Sequence, residues 1–160
     1  MERFRLLDAT PAHVPLLQAG LAALSAELGD PHRIEEGVLH SALFAPKPAC
    51  HGVLALDADD ALEAVALFSP VVSTSTGGAG AYVSDLWVAE HMRGSGLGYA
   101  LLCHVAQRAQ TFWQARFIRL VSYAHNMGAR GFYARLGFVE KGDDLVLQLS
   151  GEAFEHLEGT

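Results

Sequence analysis

The stretch Tyr82–Tyr99, YVSDLWVAEHMRGSGLGY, decides the fold of this chain. Its first half is rich in β-branched and aromatic residues, which favour a strand. Its second half places Gly94, Gly96 and Gly98 directly before a helical pattern. Glycines at a strand-to-helix turn let the backbone approach a ligand, and a helix N-terminus adds unpaired N–H groups and partial positive charge. The stretch therefore predicts an anion-binding site, and phosphate is the ligand that matches it best.

Spacing excludes two familiar glycine motifs. A dinucleotide-binding fingerprint would need glycine or alanine where this chain has Tyr99. A P-loop would need a lysine before a Ser or Thr, and no lysine lies near these glycines. What remains is the pattern Arg-x-x-Gly-x-Gly after a strand.

Composition predicts one domain with a sizeable core, because the chain has 160 residues and 51% of them are hydrophobic. A net charge of −7 argues against a nucleic-acid partner. No apolar run approaches the roughly 18 residues of a membrane span. Cys50 and Cys103 give no disulfide framework, and the segment MERFRLLDAT has no apolar stretch. These features favour a cytoplasmic location with no membrane contact.

Charge is unevenly distributed along the chain. Between His91 and Val139 there is no Asp or Glu, whereas that stretch contains six arginines. This pattern suits a phosphorylated ligand bound at one edge of an acidic protein, although solvated helix arginines would give the same pattern.

Hydrophobic periodicity predicts a mixed, mainly antiparallel sheet of about six to seven strands with helices on both faces, an α/β (α+β) fold. One domain covers 1–160, with a polar tail at 151–160. The predicted strands are Phe4–Leu7, Gly52–Leu56, Leu62–Val72, Tyr82–Val88, Phe117–Tyr123 (buried and central), Phe138–Lys141 and Leu145–Leu149. The predicted helices run from Thr10 up to Gly29, from Ile34 to Phe44, from Gly96 to Gln114 and from Asn126 to Leu136, and Ser73–Gly80 is predicted to be a mobile loop.

A second motif lies downstream of the glycines. His125-Asn126 is followed by GFYARLGF at residues 131–138. Together with Arg93-x-x-Gly96-x-Gly98, this order of residues resembles the GNAT N-acetyltransferase superfamily. The specific resemblance covers roughly residues 82–139, and the first half of the chain matches only in general layout.

The resemblance implies an acetyl-CoA-dependent N-acetyltransferase that acts on a primary amine of a small molecule or peptide by direct attack in a ternary complex. It implies that the loop N–H groups hold the pyrophosphate and that the preceding strand pairs with the pantetheine arm and polarises the thioester carbonyl. The implied cofactor-binding residues are Leu86, Trp87, Val88, Arg93, Gly94, Ser95, Gly96, Leu97, Gly98, Tyr99, Asn126 and Tyr133.

For catalysis, the resemblance points to Tyr133, whose phenol is suited to protonate a departing thiolate. Asp85, His125 and Glu27 are the candidates for the base or for binding the amine. The Glu-Asp pair of diamine-acetylating relatives reads Ser84-Asp85 here, so the glutamate is missing. No metal is expected, because the eight histidines are scattered without ligand spacing. A cysteine-borne intermediate is not expected, since Cys103 is predicted to be buried on a helix.

Two other interpretations stay open at this point. The first is a non-catalytic acyl-CoA-binding regulatory module on the same fold, favoured by the missing glutamate. The second is a protein-interaction domain, which leaves the acid-free stretch unexplained. A homodimer is common in the family, but the sequence carries no interface signal of its own.

Overall fold

The structure is a computed structural model that describes residues 4–159. These residues form two compact units, the first ending at Val121 and the second beginning at Ser122. The first unit contains the whole sheet and three of the helices.

The first unit is built on one five-stranded sheet in the order β1-β2-β3-β4-β5. Neighbours β1 to β4 are antiparallel, and β4 pairs with β5 in parallel. The mixed, mainly antiparallel sheet is therefore confirmed. The strands are β1 Arg5–Asp8, β2 His51–Leu56, β3 Leu62–Ser73, β4 Gly78–Val88 and β5 Ile118–Leu120.

Helices cover both faces of this sheet, as predicted. They are α1 Val14–Leu28, α2 Glu36–Phe44 and α3 Leu97–Trp113, all in the first unit. The second unit has its own two helices, α4 Met127–Arg135 and α5 Glu152–Glu158. The predicted start at Thr10 is a short 3₁₀ turn, Pro11–His13, which leads into α1. Gly29 ends α1 in the left-handed conformation, with φ of 73°.

The face of the sheet under α1 and α2 carries a hydrophobic core cluster. On β3, Val65 and Leu67 alternate with residues that point to the other face, so both project towards these helices. The buried side chains of this cluster are Val14, Leu17, Leu21, Leu39, Leu43, Leu54, Leu56, Val65 and Leu67.

The opposite face packs against α3. Phe68 on β3 is fully buried, and its ring meets that of Trp113 at the end of α3 edge-on. The Asp8 carboxylate at the end of β1 accepts from His104 Nε2 at 2.9 Å and lies 2.8 Å from Arg108 Nη2. Arg108 therefore belongs to a contact between β1 and α3, so one of the six arginines of the acid-free stretch is structural.

A β-bulge interrupts β4 at Ser84. Val83 lies opposite Phe68 and Asp85 lies opposite Leu67, so Ser84 is the extra residue. The parallel pairing of β4 with β5 covers only Ala81 to Val83, immediately before the bulge. Beyond it, β4 continues to Val88 with β3 on one side and no strand of residues 4–121 on the other.

The predicted loop Ser73–Gly80 is shorter than expected, because β4 already begins at Gly78. Gly80 permits a close approach of the strand to an aromatic ring. A Cβ added to Gly80 would lie 2.5 Å from the ring of Phe117, so only glycine fits beneath that ring. A pattern of Gly and Ser alone does not distinguish a close approach from a mobile loop.

The second unit, from Ser122, contains α4 and α5. Asn126 caps α4 by accepting from the Ala129 N–H at 3.1 Å, and Gly137 follows the helix with φ of 91°, as predicted. Arg130 ties this unit together by donating to both carboxylate oxygens of Glu140 and to the Ala124 carbonyl. That ion pair raises the pKa of Arg130 and lowers the pKa of Glu140.

The two last predicted strands, Phe138–Lys141 and Leu145–Leu149, are wrong, and the sheet of the described chain has five strands rather than six or seven. Val139 is 85% exposed and Leu147 is 88% exposed. Strand propensity reflects how well a side chain packs in a sheet. A strand also needs a neighbouring backbone to pair with, and propensity does not supply one. The predicted central strand Phe117–Tyr123 is likewise the short edge strand β5, with a partner on one side only in the described chain.

No helix between residues 4 and 159 combines the length and the apolar character that crossing a membrane requires.

We predict that Gly20→Ala lowers the free energy of unfolding by about 1–2 kcal/mol, because an added Cβ would lie 2.8 Å and 2.9 Å from the two methyl groups of Val65, whose β-branched side chain has little freedom to move. Gly37→Ala in α2 is the matched control, since its Cβ would meet nothing within 4 Å. It should stabilise by up to about 1 kcal/mol through helix propensity. Urea unfolding of both variants checks this, and equal effects would contradict the packing of α1 on β3.

Candidate functional site

The outer edge of β4 beyond the bulge presents unpaired backbone groups. The Ala89 N–H donates to the Glu63 carbonyl at 2.8 Å. This bond establishes which residues of β4 direct their backbone groups towards β3. Hydrogen-bonded residues alternate along an antiparallel pair, so Trp87 also bonds to β3 while Leu86 and Val88 point their N–H and C=O groups outward. The Val88 carbonyl accepts from Arg93 Nε at 3.0 Å. Both outward N–H groups are therefore available to a ligand along this edge of the first unit.

The glycine loop after β4 is preorganised by local hydrogen bonds. A 3₁₀ turn, Glu90–Met92, is followed by Gly94 and Gly96, whose φ values of 76° and 90° favour glycine. The Ser95 hydroxyl donates to the Met92 carbonyl at 2.6 Å and closes the loop. The predicted strand–loop–helix arrangement of the Tyr82–Tyr99 stretch is confirmed.

The N-terminus of α3 faces out of this loop. The first intrahelical hydrogen bond of α3 is donated by Ala100 to the Gly96 carbonyl. The N–H groups of Gly98 and Tyr99 therefore precede the helical ladder, and the Leu97 N–H has only a long contact of 3.4 Å to the Ser95 hydroxyl. The first unit therefore has outward N–H groups both on β4 and at the start of α3, separated by a loop in which the N–H groups of Met92, Arg93 and Ser95 are bonded internally.

Glu27, Trp87 and Arg93 are brought together where β4 leads into this loop. Trp87 Nε1 donates to Glu27 Oε1 at 3.0 Å, and Arg93 Nη2 lies 2.8 Å and 2.7 Å from the two oxygens of the same carboxylate. Glu27 is the candidate base in the last turn of α1, and here its carboxylate accepts hydrogen bonds from two residues of the predicted cofactor stretch.

A second acidic residue, Glu63, contacts the 3₁₀ turn that leads into the glycine loop, and it is not predicted from the sequence. Glu63 at the start of β3 is buried, and its Oε2 lies 2.8 Å from His91 Nε2 in the 3₁₀ turn, a short contact outside hydrogen-bond geometry. No sequence pattern marks Glu63, because it joins the loop only through the pairing of β3 with β4.

Asp85 lies on β4 two residues before Trp87, so both side chains project from the face that α1 and α2 cover. It is half-buried. Burial, and to a lesser degree the charge of Asp85, raises the pKa of the Cys50 thiol. Asp85 and Cys50 therefore share one part of the first unit, on the side of β4 away from α3.

The remaining predicted residues lie in the second unit. The Asn126 Oδ1 accepts the hydrogen bond that caps the helix, so the N–H groups of its side-chain amide remain as donors. His125 stacks on Tyr123 with ring centroids 5.4 Å apart. Tyr133 on α4 packs between the rings of Phe132 and Phe138 at 5.2 Å and 5.3 Å, and burial raises the pKa of its phenol.

The two cysteines are both free thiols and both partly exposed, so the prediction that Cys103 is buried is wrong. It lies one turn after Tyr99 on α3, and a hydrogen bond between the two side chains raises the pKa of Tyr99. A position inside a helix does not by itself imply burial, and the buried residues of α3 include Leu101, Leu102 and Val105 but not Cys103.

Comparison with known proteins identifies the family. Residues 21–138 match the model of the acetyltransferase (GNAT) family, which is most of the chain. The chain therefore belongs to the GNAT acetyltransferase family, as the sequence motifs predicted. No curated protein sequence matches it significantly.

Solved structures agree with this assignment. A probable acetyltransferase is 25% identical, with a TM-score of 0.77 over 92% of this chain and 99% of that chain. Ribosomal-protein-alanine N-acetyltransferase from Brucella melitensis biovar Abortus 2308 is 18% identical, with a TM-score of 0.72 over 91% and 99%. An aminoglycoside acetyltransferase from an uncultured soil metagenomic sample is 13% identical, with a TM-score of 0.76 over 92% and 97%. The last two show a shared fold.

Metal ligands are not grouped in the part of the chain that the structure describes, where no three His, Cys, Asp or Glu residues could hold an ion together. The expectation of a reaction without metal stays a prediction.

We predict that Asp85→Asn increases the rate at which Cys50 reacts with iodoacetamide at pH 8 by about two- to threefold, because removing the negative charge lowers the pKa of the thiol and increases its thiolate fraction. Burial continues to hold that pKa above its ordinary value. Peptide mass spectrometry follows both cysteines at once, and Cys103 is the internal control whose rate should not change. An unchanged Cys50 rate would contradict the proximity of Asp85 and Cys50.

Proposed function

We propose that this protein transfers an acetyl group from acetyl-CoA to a primary amine of a small molecule or peptide. The observation that carries this proposal is the outer edge of β4 after the Ser84 bulge, where two outward N–H groups lead into the donors of the glycine loop and α3. Membership of the GNAT family supports acyl transfer from acetyl-CoA.

The residues present fit a cofactor with an amide-containing arm and a pyrophosphate. Leu86 and Val88 would hold the arm through main-chain groups, as an added strand does at a sheet edge. The N–H groups from Gly94 to Tyr99 would hold the pyrophosphate at the positive end of α3. Asn126 would contribute its amide, whereas the main chain of Trp87 faces β3 and its indole is bonded to Glu27.

The acceptor would be cationic before reaction, and Asp85 is the carboxylate that we assign to it. Asp85 is half-buried on the α1 and α2 side of β4, so it can form a stronger ion pair with an ammonium group than a fully exposed carboxylate can. Two similar structures are named for an aminoglycoside and for an alanine of a ribosomal protein, so one fold serves chemically different acceptors. We therefore propose the class of acceptor and not one compound.

Tyr133 is the proposed general acid. Acetyl-CoA supplies the activated thioester, and its thiolate must gain a proton when the acyl group leaves. Burial raises the pKa of Tyr133, so the phenol stays protonated throughout the neutral range and remains a donor. The loss of this proton donor should appear only at a pH above the ordinary tyrosine value of about 10.

The acceptor amine must lose a proton before or during attack. Asp85 and His125 are the proposed proton acceptors, directly or through water. A covalent cysteine intermediate is disfavoured at Cys50, because its raised pKa leaves little thiolate at neutral pH. We therefore propose direct attack of the amine on bound acetyl-CoA.

We predict that Tyr133→Phe lowers kcat by about 10²-fold or more, because the phenol contributes the proton and the ring contributes only packing. The Kd for acetyl-CoA should change less than about threefold. Turnover is measured as CoA release with a panel of primary amines, and Kd by calorimetry. Tyr82→Phe on β4 is the control and should leave both quantities unchanged.

These measurements also separate the enzyme from a non-catalytic acyl-CoA-binding module. The module would bind acetyl-CoA with no CoA release for any amine, and Tyr133→Phe would then change nothing. Normal turnover of Tyr133→Phe would remove Tyr133 from the mechanism.

A further inference from the structure

The contact of Glu27 with Trp87 and Arg93 joins three elements that are far apart in sequence. Glu27 lies in the last turn of α1, Trp87 near the end of β4, and Arg93 at the start of the glycine loop. The guanidinium of Arg93 spans this junction, because its Nε donates to the Val88 carbonyl while its Nη2 meets the Glu27 carboxylate.

The position of Glu27 is unfavourable for α1 itself. A negative charge near a helix C-terminus opposes the helix dipole, and the last turn of α1 contains no basic residue to offset it. The side chains of Arg93 and Glu27 are 48% and 44% exposed, so their ion pair adds little to overall stability. Neither the stability of α1 nor the stability of the fold therefore explains a glutamate at position 27.

The geometry indicates instead that Glu27 orients the side chain of Arg93. Its hydrogen bonds use Nε and Nη2, so among residues 4–159 the N–H groups of Nη1 remain for another acceptor. A free arginine side chain loses considerable rotamer freedom when it binds an anion, and one that is already held loses less. Glu27 holds the guanidinium beside the loop whose N–H groups face outward.

We propose that Glu27 is a positioning residue for the acetyl-CoA site and not the catalytic base. By holding Arg93, it presents Nη1 to an anionic group of the cofactor. This inference rests on the proposed function, since it assigns Glu27 to the same cofactor site. Both oxygens of Glu27 accept hydrogen bonds from Arg93 and Oε1 also accepts from Trp87, so an amine would have to compete with these donors for the carboxylate.

The test is a double-mutant cycle on acetyl-CoA affinity, measured by calorimetry at one fixed salt concentration. Glu27→Ala should weaken binding about three- to fivefold, the size expected for a half-exposed ion pair. Arg93→Ala should weaken it about tenfold or more, because a charge-assisted contact is lost. The double variant should bind like Arg93→Ala alone, since Glu27 acts through Arg93.

Two further variants separate positioning from other roles. Glu27→Gln keeps an oxygen that can accept from Trp87 and Arg93, so it should recover part of the affinity and keep kcat within about twofold of the unmodified protein. It also serves if Glu27→Ala does not fold. Glu36→Ala removes the same charge from an exposed site on α2 and should leave the Kd unchanged.

The outcomes distinguish this inference from the proposed function. If the unmodified protein does not bind acetyl-CoA, the proposed function itself fails. If it binds and Glu27→Ala leaves the Kd unchanged or lowers it, the positioning role is overturned. The same holds if Glu27→Ala weakens binding as much in the Arg93→Ala background. A loss of about 10²-fold in kcat for Glu27→Gln at unchanged Kd would identify a base instead.

Discussion

The unpaired outer edge of β4 beyond Val83 is the feature on which the rest of the site depends. Backbone N–H and C=O groups must be paired or solvated, and the bulge at Ser84 separates the part of β4 that pairs with β5 from the part that does not. The outward N–H groups of Leu86 and Val88 follow directly, and the glycine loop after them leads to the unbonded N–H groups at the start of α3. The family assignment and the main-chain geometry thus point to one ligand-binding edge.

Carboxylates connect elements of the first unit that are far apart in sequence. Asp8 joins β1 to α3, Glu63 supports the 3₁₀ turn through His91, and Glu27 joins α1 to Arg93. The acid-free stretch from His91 to Val139 is therefore not simply a basic surface for a phosphorylated ligand. Several of its arginines form ion pairs with acidic residues from elsewhere in the chain. The positive charge available to a ligand therefore depends on which arginine N–H groups these ion pairs leave without an acceptor.

The sequence was most informative where structure is local. Glycines before a helical pattern predicted the loop and the start of α3, and Asn126 predicted the cap of α4. The sequence-based prediction failed where structure depends on a neighbouring strand. Residues 138–149 have the composition of strands but no paired neighbour in the described chain. The bulge at Ser84 has no characteristic amino-acid pattern that would predict it. The contacts of Glu27 with Trp87 and Arg93 could not be predicted either, because periodicity does not reveal which helix end meets which strand end.

Amide hydrogen exchange followed by NMR, with and without saturating acetyl-CoA, tests the central claim most directly. We predict that the Leu86 and Val88 amides, which point outward, exchange at least about tenfold more slowly in the complex. The Trp87 amide should be slow in both states because it is bonded to β3. Slower exchange within residues 94–99 should accompany this change. Binding of acetyl-CoA that leaves the Leu86 and Val88 amides unchanged would contradict the claim that the outer edge of β4 receives the cofactor.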